Sequence, residues 1–301
     1  MDRKLWQRRS PMITAAAPTR SRYYATGLVS IVLVALTSLS SAENKKDYRF
    51  EVGPHSKVSI LNQYGKISVK PSPGNYVLVT ATTYSDKVEV DQAQNGNRVD
   101  VQSHLLAGAT SDNARVDYDV LVPADASIDL ESSTGPLHAE RLHGDVEAES
   151  ASAPIDVRDI SGSHVHVKTM AGTVTLSNIR DGHVEIDSVS GDVLLNSVTG
   201  PLVRVSSTTG RIQYDGDFGY AGEYRFNSHS GNIDATIPAD ASVDVKAQSV
   251  RGQVQNDVPL QPKVHTSFLV REGSSFAGTI NKAASSVWLR TFSGRIHLKK
   301  R

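Results

Sequence analysis

The stretch Val184-Glu185-Ile186-Asp187-Ser188-Val189-Ser190-Gly191-Asp192-Val193-Leu194-Leu195 decides the fold of this chain. Apolar residues stand seven and five positions before Gly191 and two and four positions after it, with mostly polar residues between. Alternation over such short runs marks two β-strands flanking a turn, each with one face buried and one face wet. The same frame returns around Gly135, Gly172, Gly210, Gly231, Gly252 and Gly294, and Gly65 anticipates it. Ala153 fills the slot between Gly135 and Gly172. At Gly172 the bracketing residues are Val165, Val167, Val174 and Leu176; at Gly294 they are Val287, Leu289, Ile296 and Leu298. The step is 19 residues from Gly172 through Gly210 and 21 onward through Gly231 to Gly252.

A unit this short holds two strands and cannot bury its apolar face alone, so the units must stack. Stacking puts Val165, Val184 and Val203 in one column and Val174, Val193 and Ile212 in another. The glycine is expected at a positive φ, where a Cβ would clash. Three residues before each turn position stands Ser132, Ser150, Thr169, Ser188, Ser207, Ser228, Ser249 or Thr291, with Asn62 at the first. Such side chains bond the backbone of their own turn. The fold expected is all-β, a parallel β-solenoid-like stack of two-strand coils. A β-sandwich is the alternative, and strand order separates them: neighbours 19 residues apart mean a solenoid, hairpin neighbours a sandwich.

Residues 43–122 are less regular. Two alternating runs flank Asn95-Gly96, the signature of a tight hairpin. Val116–Val122 is a further strand, ended by Pro123. Residues 123–301 then carry the repeat stack. Within it, Pro123-Ala124-Asp125-Ala126-Ser127 returns as Pro238-Ala239-Asp240-Ala241-Ser242, which points to duplication. The loop Asp215–Glu223, with Gly216, Gly219 and Gly222, is where the repeat lengthens; it reads either as a binding insertion or as a plain bulge.

Residues 1–42 read as an export signal. Arg3, Lys4, Arg8, Arg9, Arg20 and Arg22 precede an uncharged stretch from Tyr23 to Ala42, and Ser40-Ser41-Ala42 offers a peptidase its small residues. Left uncleaved, the same stretch would be an anchor and the chain's one contact with a membrane. The remaining chain holds 26 basic and 31 acidic residues, which gives nucleic acid no electrostatic footprint. Cysteine is absent, which removes disulfides, thiolate metal sites and a thiol nucleophile.

These residues resemble the candidate-adhesin β-strand-repeat family of bacterial envelope proteins, over roughly Arg49 to Lys300. The resemblance rests on Val58-Ser59-Ile60 leading to Tyr64-Gly65-Lys66-Ile67, on Val120-Leu121-Val122-Pro123, on the Ser/Thr-x-x-Gly units and on the closing Thr291-Phe292-Ser293-Gly294-Arg295-Ile296. It implies the fold. The shared residues are cores and turns, so it implies no functional residue.

The densest ionisable patch sets Asp145, Glu147 and Glu149 beside His164, His166 and Lys168, then His183, Glu185 and Asp187. His164, His166 and His183 are the candidate metal ligands, since imidazoles at alternate strand positions share a face. A cross-strand charge ladder is the reading preferred. Phe218, Tyr220 and Tyr224 are the aromatics a sugar site would use. No catalytic residue, metal or cofactor is assigned. The function expected is that of a non-enzymatic exported protein of the periplasm, cell surface or extracellular space. It presents a β face to an envelope or surface ligand, protein or glycan, with adhesion one such use. A polysaccharide-degrading β-helix enzyme and an envelope-stress accessory protein are the alternatives.

Overall fold

The computed structural model describes residues 43–262 and 273–301; the expected export segment lies outside them. The chain forms two sheets, of 12 strands (sheet I) and 13 strands (sheet II), that face each other across one core. Each coil contributes one strand to each sheet, and the strands of successive coils pair in parallel. Val165 pairs with Val184 and Val184 with Val203, so neighbours in sheet II are 19 residues apart. Val174, Val193 and Ile212 make the facing column of sheet I, and all six side chains are fully buried. The architecture is a parallel β-solenoid-like stack, because only stacking lets strands this short close a core.

Both ends of the stack depart from chain order. At one end, strand Lys57–Asn62 lies between Arg98–Leu105 and Ser127–Ser132. The hairpin Val88–Asn95 and Arg98–Leu105, turning at Asn95-Gly96 with Gly96 at φ 59°, closes sheet II there. The antiparallel strands Tyr76–Thr83 and Asn44–Glu51 close sheet I. At the other end, the expected adjacency of Gly231 and Gly252 is overturned. The coil of Gly294 (Ser285–Thr291 and Ile296–Lys300) is inserted between them. Burial explains this order. Val287, Leu289, Ile296 and Leu298 are at most 1 % exposed, whereas the Gly252 coil offers sheet I only the short, half-buried Val254–Asn256. The better-filled coil takes the inner place and the thinner one becomes the edge.

The turn glycines also need a correction. Of the eight, Gly65 alone has a positive φ, 107°. The other seven have ordinary backbone angles and are required by stacking. A Cβ on Gly191 would overlap the carbonyl oxygen of Gly172, one on Gly210 that of Gly191, and one on Gly294 that of Gly231. The hydroxyl three residues earlier ties each turn: Thr169 Oγ1 accepts from Gly172 N at 2.9 Å, Ser228 Oγ accepts from Gly231 N at 2.8 Å, and Ser188 Oγ donates to the Gly191 carbonyl at 2.6 Å.

Two further columns escaped the sequence reading. Arg141, Asp159, Asn178 and Ser197 all lie in the left-handed region, with φ between 55° and 59°. That kink breaks the alternation so that the next residue, Leu142, Ile160, Ile179 or Val198, turns inward and is buried. Aromatic residues, meanwhile, explain the lengthened repeat. Tyr214, Tyr224 and Phe226 are fully buried and pack with Phe218 at centroid distances of 4.9–5.8 Å. The Tyr224 hydroxyl accepts from Gly219 N at 2.7 Å, so loop 215–223 wraps an internal plug.

Candidate functional site

The wet side of sheet II carries the patch singled out in the sequence. His164 Nε2 lies 3.1 Å from His183 Nδ1 and His164 Nδ1 lies 3.4 Å from Asp145. His166 stands 3.7 Å from Glu147 and 3.9 Å from Asp187. Lys168 meets Glu147 at 3.5 Å and Arg204 meets Glu185 at 2.8 Å. Each candidate ligand is thus engaged with a carboxylate or another ring on an open face. Among the described residues, no group of three or more His, Cys, Asp or Glu is arranged to hold a metal ion. The chemistry this arrangement offers is cross-strand ion pairing, which sets register more than it adds stability.

The aromatics proposed for sugar contact are redistributed. Tyr224 is buried in the plug, Phe218 packs against it, and Tyr220 points to solvent with 92 % of its surface exposed. Trp288, which lies on sheet II, is 48 % exposed, with the Lys246 ammonium 4.6 Å from its ring centroid.

A ridge runs along the glycine turns beside this face. It is made of the residues two positions before each glycine: Met170, Val189, Thr208, His229, Phe292 and Val250. Met170, Val189 and Val250 are exposed, and His229 stacks on Phe292 with ring centroids 5.1 Å apart. Three open cavities adjoin one another, two along the ridge and a third on the face of sheet II. The first, of about 410 Å³, lies between Glu149, Lys168 and Asp187 on the sheet and Met170 and Val189 on the ridge. A second, of about 380 Å³, shares Ser206 with it and reaches His229 and Phe292. The third, of about 420 Å³, shares Asn227 and Arg290 with the second and extends to Trp288, Lys246 and Phe276. The sequence reading missed the ridge, although the recurrent position two before glycine was its signal.

Sheet I is built differently. The buried carboxylate of Asp234 accepts from Arg211 Nε at 2.7 Å and faces Arg295 at 3.7 Å, Lys299 at 3.5 Å and His297 at 3.8 Å. Burial pushes its carboxyl up, but the Arg211 hydrogen bonds and the surrounding cations outweigh burial and hold it below the usual range. This cluster joins the strand Ile233–Ile237 to the inserted strand Ile296–Lys300.

The match with known sequences bears on the whole of this architecture. The Toastrack DUF4097 family model matches residues 55–299. The chain belongs to that family. No curated protein matches it. Two solved structures are similar to this Toastrack chain. One, a candidate adhesin from Bacteroides fragilis, is 14 % identical, with 86 % of this chain and 98 % of that one covered at a TM-score of 0.46. The other, a candidate cell adhesion protein from Clostridium sporogenes, is 12 % identical, with 86 % and 100 % covered at a TM-score of 0.27.

Proposed function

We propose that this Toastrack protein is a non-enzymatic envelope or surface protein that is exported and binds its ligand along the glycine-turn ridge. The observation that carries this reading is the unbroken strip of three cavities, which crosses successive coils from Met170 to Trp288. A strip whose walls repeat with the strand spacing, about 4.8 Å, suits an extended polymer such as a glycan or peptide better than a compact substrate. Exposed apolar and aromatic groups beside the hydroxyls of Ser206 and Thr208 fit the mixed surface of a carbohydrate chain. Residues 1–42 supply the export address in this reading.

A glycan array probed with the exported chain, run beside a reducing-sugar release assay, tests the proposal. Binding without release, weakened by Trp288→Ala and by Met170→Ser, is the expected result. Release of sugar would replace this reading with that of a β-helix enzyme.

A further inference from the structure

The wet side of sheet II sorts its charges by position. Ten of its 13 strands pair in parallel, and the midpoint of these ten falls between His164–Thr169 and His183–Ser188, with five on either side. Along the central outward row, the strands on one side carry Asp100, Ser59, Asp129, Glu147 and His166. Those on the other side carry Glu185, Arg204, Arg225, Trp288 and Lys246, counted from the midpoint. At three of the five distances from the midpoint the strands carry opposite charges: Glu147 corresponds to Arg204, Asp129 to Arg225 and Asp100 to Lys246, while His166 corresponds to Glu185 and Ser59 to Trp288. In the next outward row, Lys168 corresponds to Asp187. Neither of these two rows matches an acid with an acid or a base with a base; in the third row His164 corresponds to His183 and Arg98 to Asp244.

This order works against the single chain. Asp129 and Glu147 are direct cross-strand neighbours, as are Glu131 and Glu149, and so are Arg204 and Arg225. Like charges directly opposite destabilise a sheet. Burial and then the charge of Glu147 push the Asp129 carboxyl above its usual range. Within the chain Lys168 meets Glu147, Glu185 meets Arg204 and Glu223 meets Arg225, which offsets part of this strain; a complementary surface would offset the rest.

We infer that the wet face of sheet II docks against the same face of a second copy of the chain, antiparallel. The two-fold axis lies in the interface, along the strand direction, at the midpoint of the ten strands. Rotation about it carries each strand onto its counterpart across the midpoint and keeps each row on itself, so every pairing above forms twice. The exposed Leu61 then lies across from Arg290 of the second copy, one row away from Trp288. The other in-plane two-fold, along the stack, would set Asp129 on Asp129 and Arg225 on Arg225, and repulsion excludes it. Ten strands about 4.8 Å apart and three outward rows cover about 800 Å² per copy, the size of a standard stable interface. Both turn ridges then lie along one edge of the pair, but Arg225, Lys246 and Trp288, which line the third cavity, are covered, so a second copy and a ligand held there exclude each other and the dimer is tested without ligand.

Sedimentation equilibrium of the exported chain tests it. The expected result is a dimer at low ionic strength that dissociates near 1 M salt, where the Debye length falls to about 3 Å. Glu147→Arg and Arg204→Glu should each weaken the dimer at least about tenfold, since each creates two like-charge contacts. An equimolar mixture of the two variants should recover dimerisation, because each altered charge again meets its opposite across the axis. That recovery also shows that both variants fold. A wild-type monomer at low salt overturns the inference. So does a dimer indifferent to salt and to both substitutions, or a mixture that stays monomeric while both variants keep the wild-type β circular dichroism.

Discussion

Asp234 lies 3.5 Å from Lys299, across the junction between a strand of the regular stack and the strand inserted beside it. The Asp234 side chain is 2 % exposed while its cationic partners remain substantially in solvent, so the carboxylate is the member of the cluster whose charge matters. Its folded pKa is depressed, so its contribution is present above the unfolded carboxylate value, about 3.9, and is lost as pH falls through the folded one. Asp234→Asn should therefore cost about 2–3 kcal/mol at pH 7, a buried-pair loss reduced by the exposure of the partners. At pH 2 the gap between variant and wild type should be smaller than at pH 7. Urea titrations at the two pH values check this, and an equal gap at both would show that packing, not charge, holds the junction.

The stacking of the glycines makes a separable prediction. Gly191→Ala should destabilise by roughly 3 kcal/mol, because its Cβ has nowhere to go but into the Gly172 carbonyl. Gly191→Asn should be no better, since asparagine's tolerance of positive φ is irrelevant there. At Gly96, with φ 59° and open space around it, Asn should cost little. Thermal melts of the three variants settle which cause applies. A Gly191→Asn protein as stable as wild type would restore the conformational explanation.

Faces of the strands can be checked in the same coil. Val184 is fully buried, and Val184→Asp should cost more than about 4 kcal/mol by placing an unpaired carboxylate in the core. Glu185→Ala removes one exposed pair with Arg204 and should cost about 0.5 kcal/mol or less in the isolated chain. Comparable melting shifts would mean that the strand is assigned the wrong way out.

For the histidines, dialysis against zinc followed by chelation should leave the melting temperature unchanged. His164 and His183 face each other with Asp145 beside them, and the open strand surface supplies no enclosing fourth donor. A stoichiometric zinc-dependent rise, lost in His164→Ala, would reinstate the metal reading.

The repeat around Gly191 made the stack legible because its period is local: apolar spacing, turn glycine and hydroxyl all fall within twelve residues. The order of coils was not legible past Gly231, since it depends on how well Val287 and Leu289 fill the core compared with Val254, a competition among distant segments. The inward turn at Leu142, Ile160, Ile179 and Val198 was hidden by an unusual φ at ordinary residues such as Arg141 and Ser197. Tyr224 read as a sugar platform because an aromatic near a glycine-rich loop looks exposed until Tyr214 and Phe226 are seen around it. The sorting of charge along sheet II was present in the residues but had no meaning before Asp129 and Glu147 were known to be neighbours.

Placing the Gly294 coil inside the Gly252 coil gives the chain a clasp that closes late. A polypeptide emerging amino end first presents Val243–Ser249 before Ser285–Thr291 exists, yet the earlier segment can seat itself only on the later one. Until then the Gly231 coil keeps a bare edge, with the carbonyl groups that later receive Phe292 and Ser293 still open to solvent or to another chain. A molecule ending anywhere between Asn256 and Ser285 would lack the Gly294 coil and leave the Gly231 coil unsealed. Completeness of the chain is in this way written into its resistance to proteases: the intact protein hides its growing edge, and a fragment displays it.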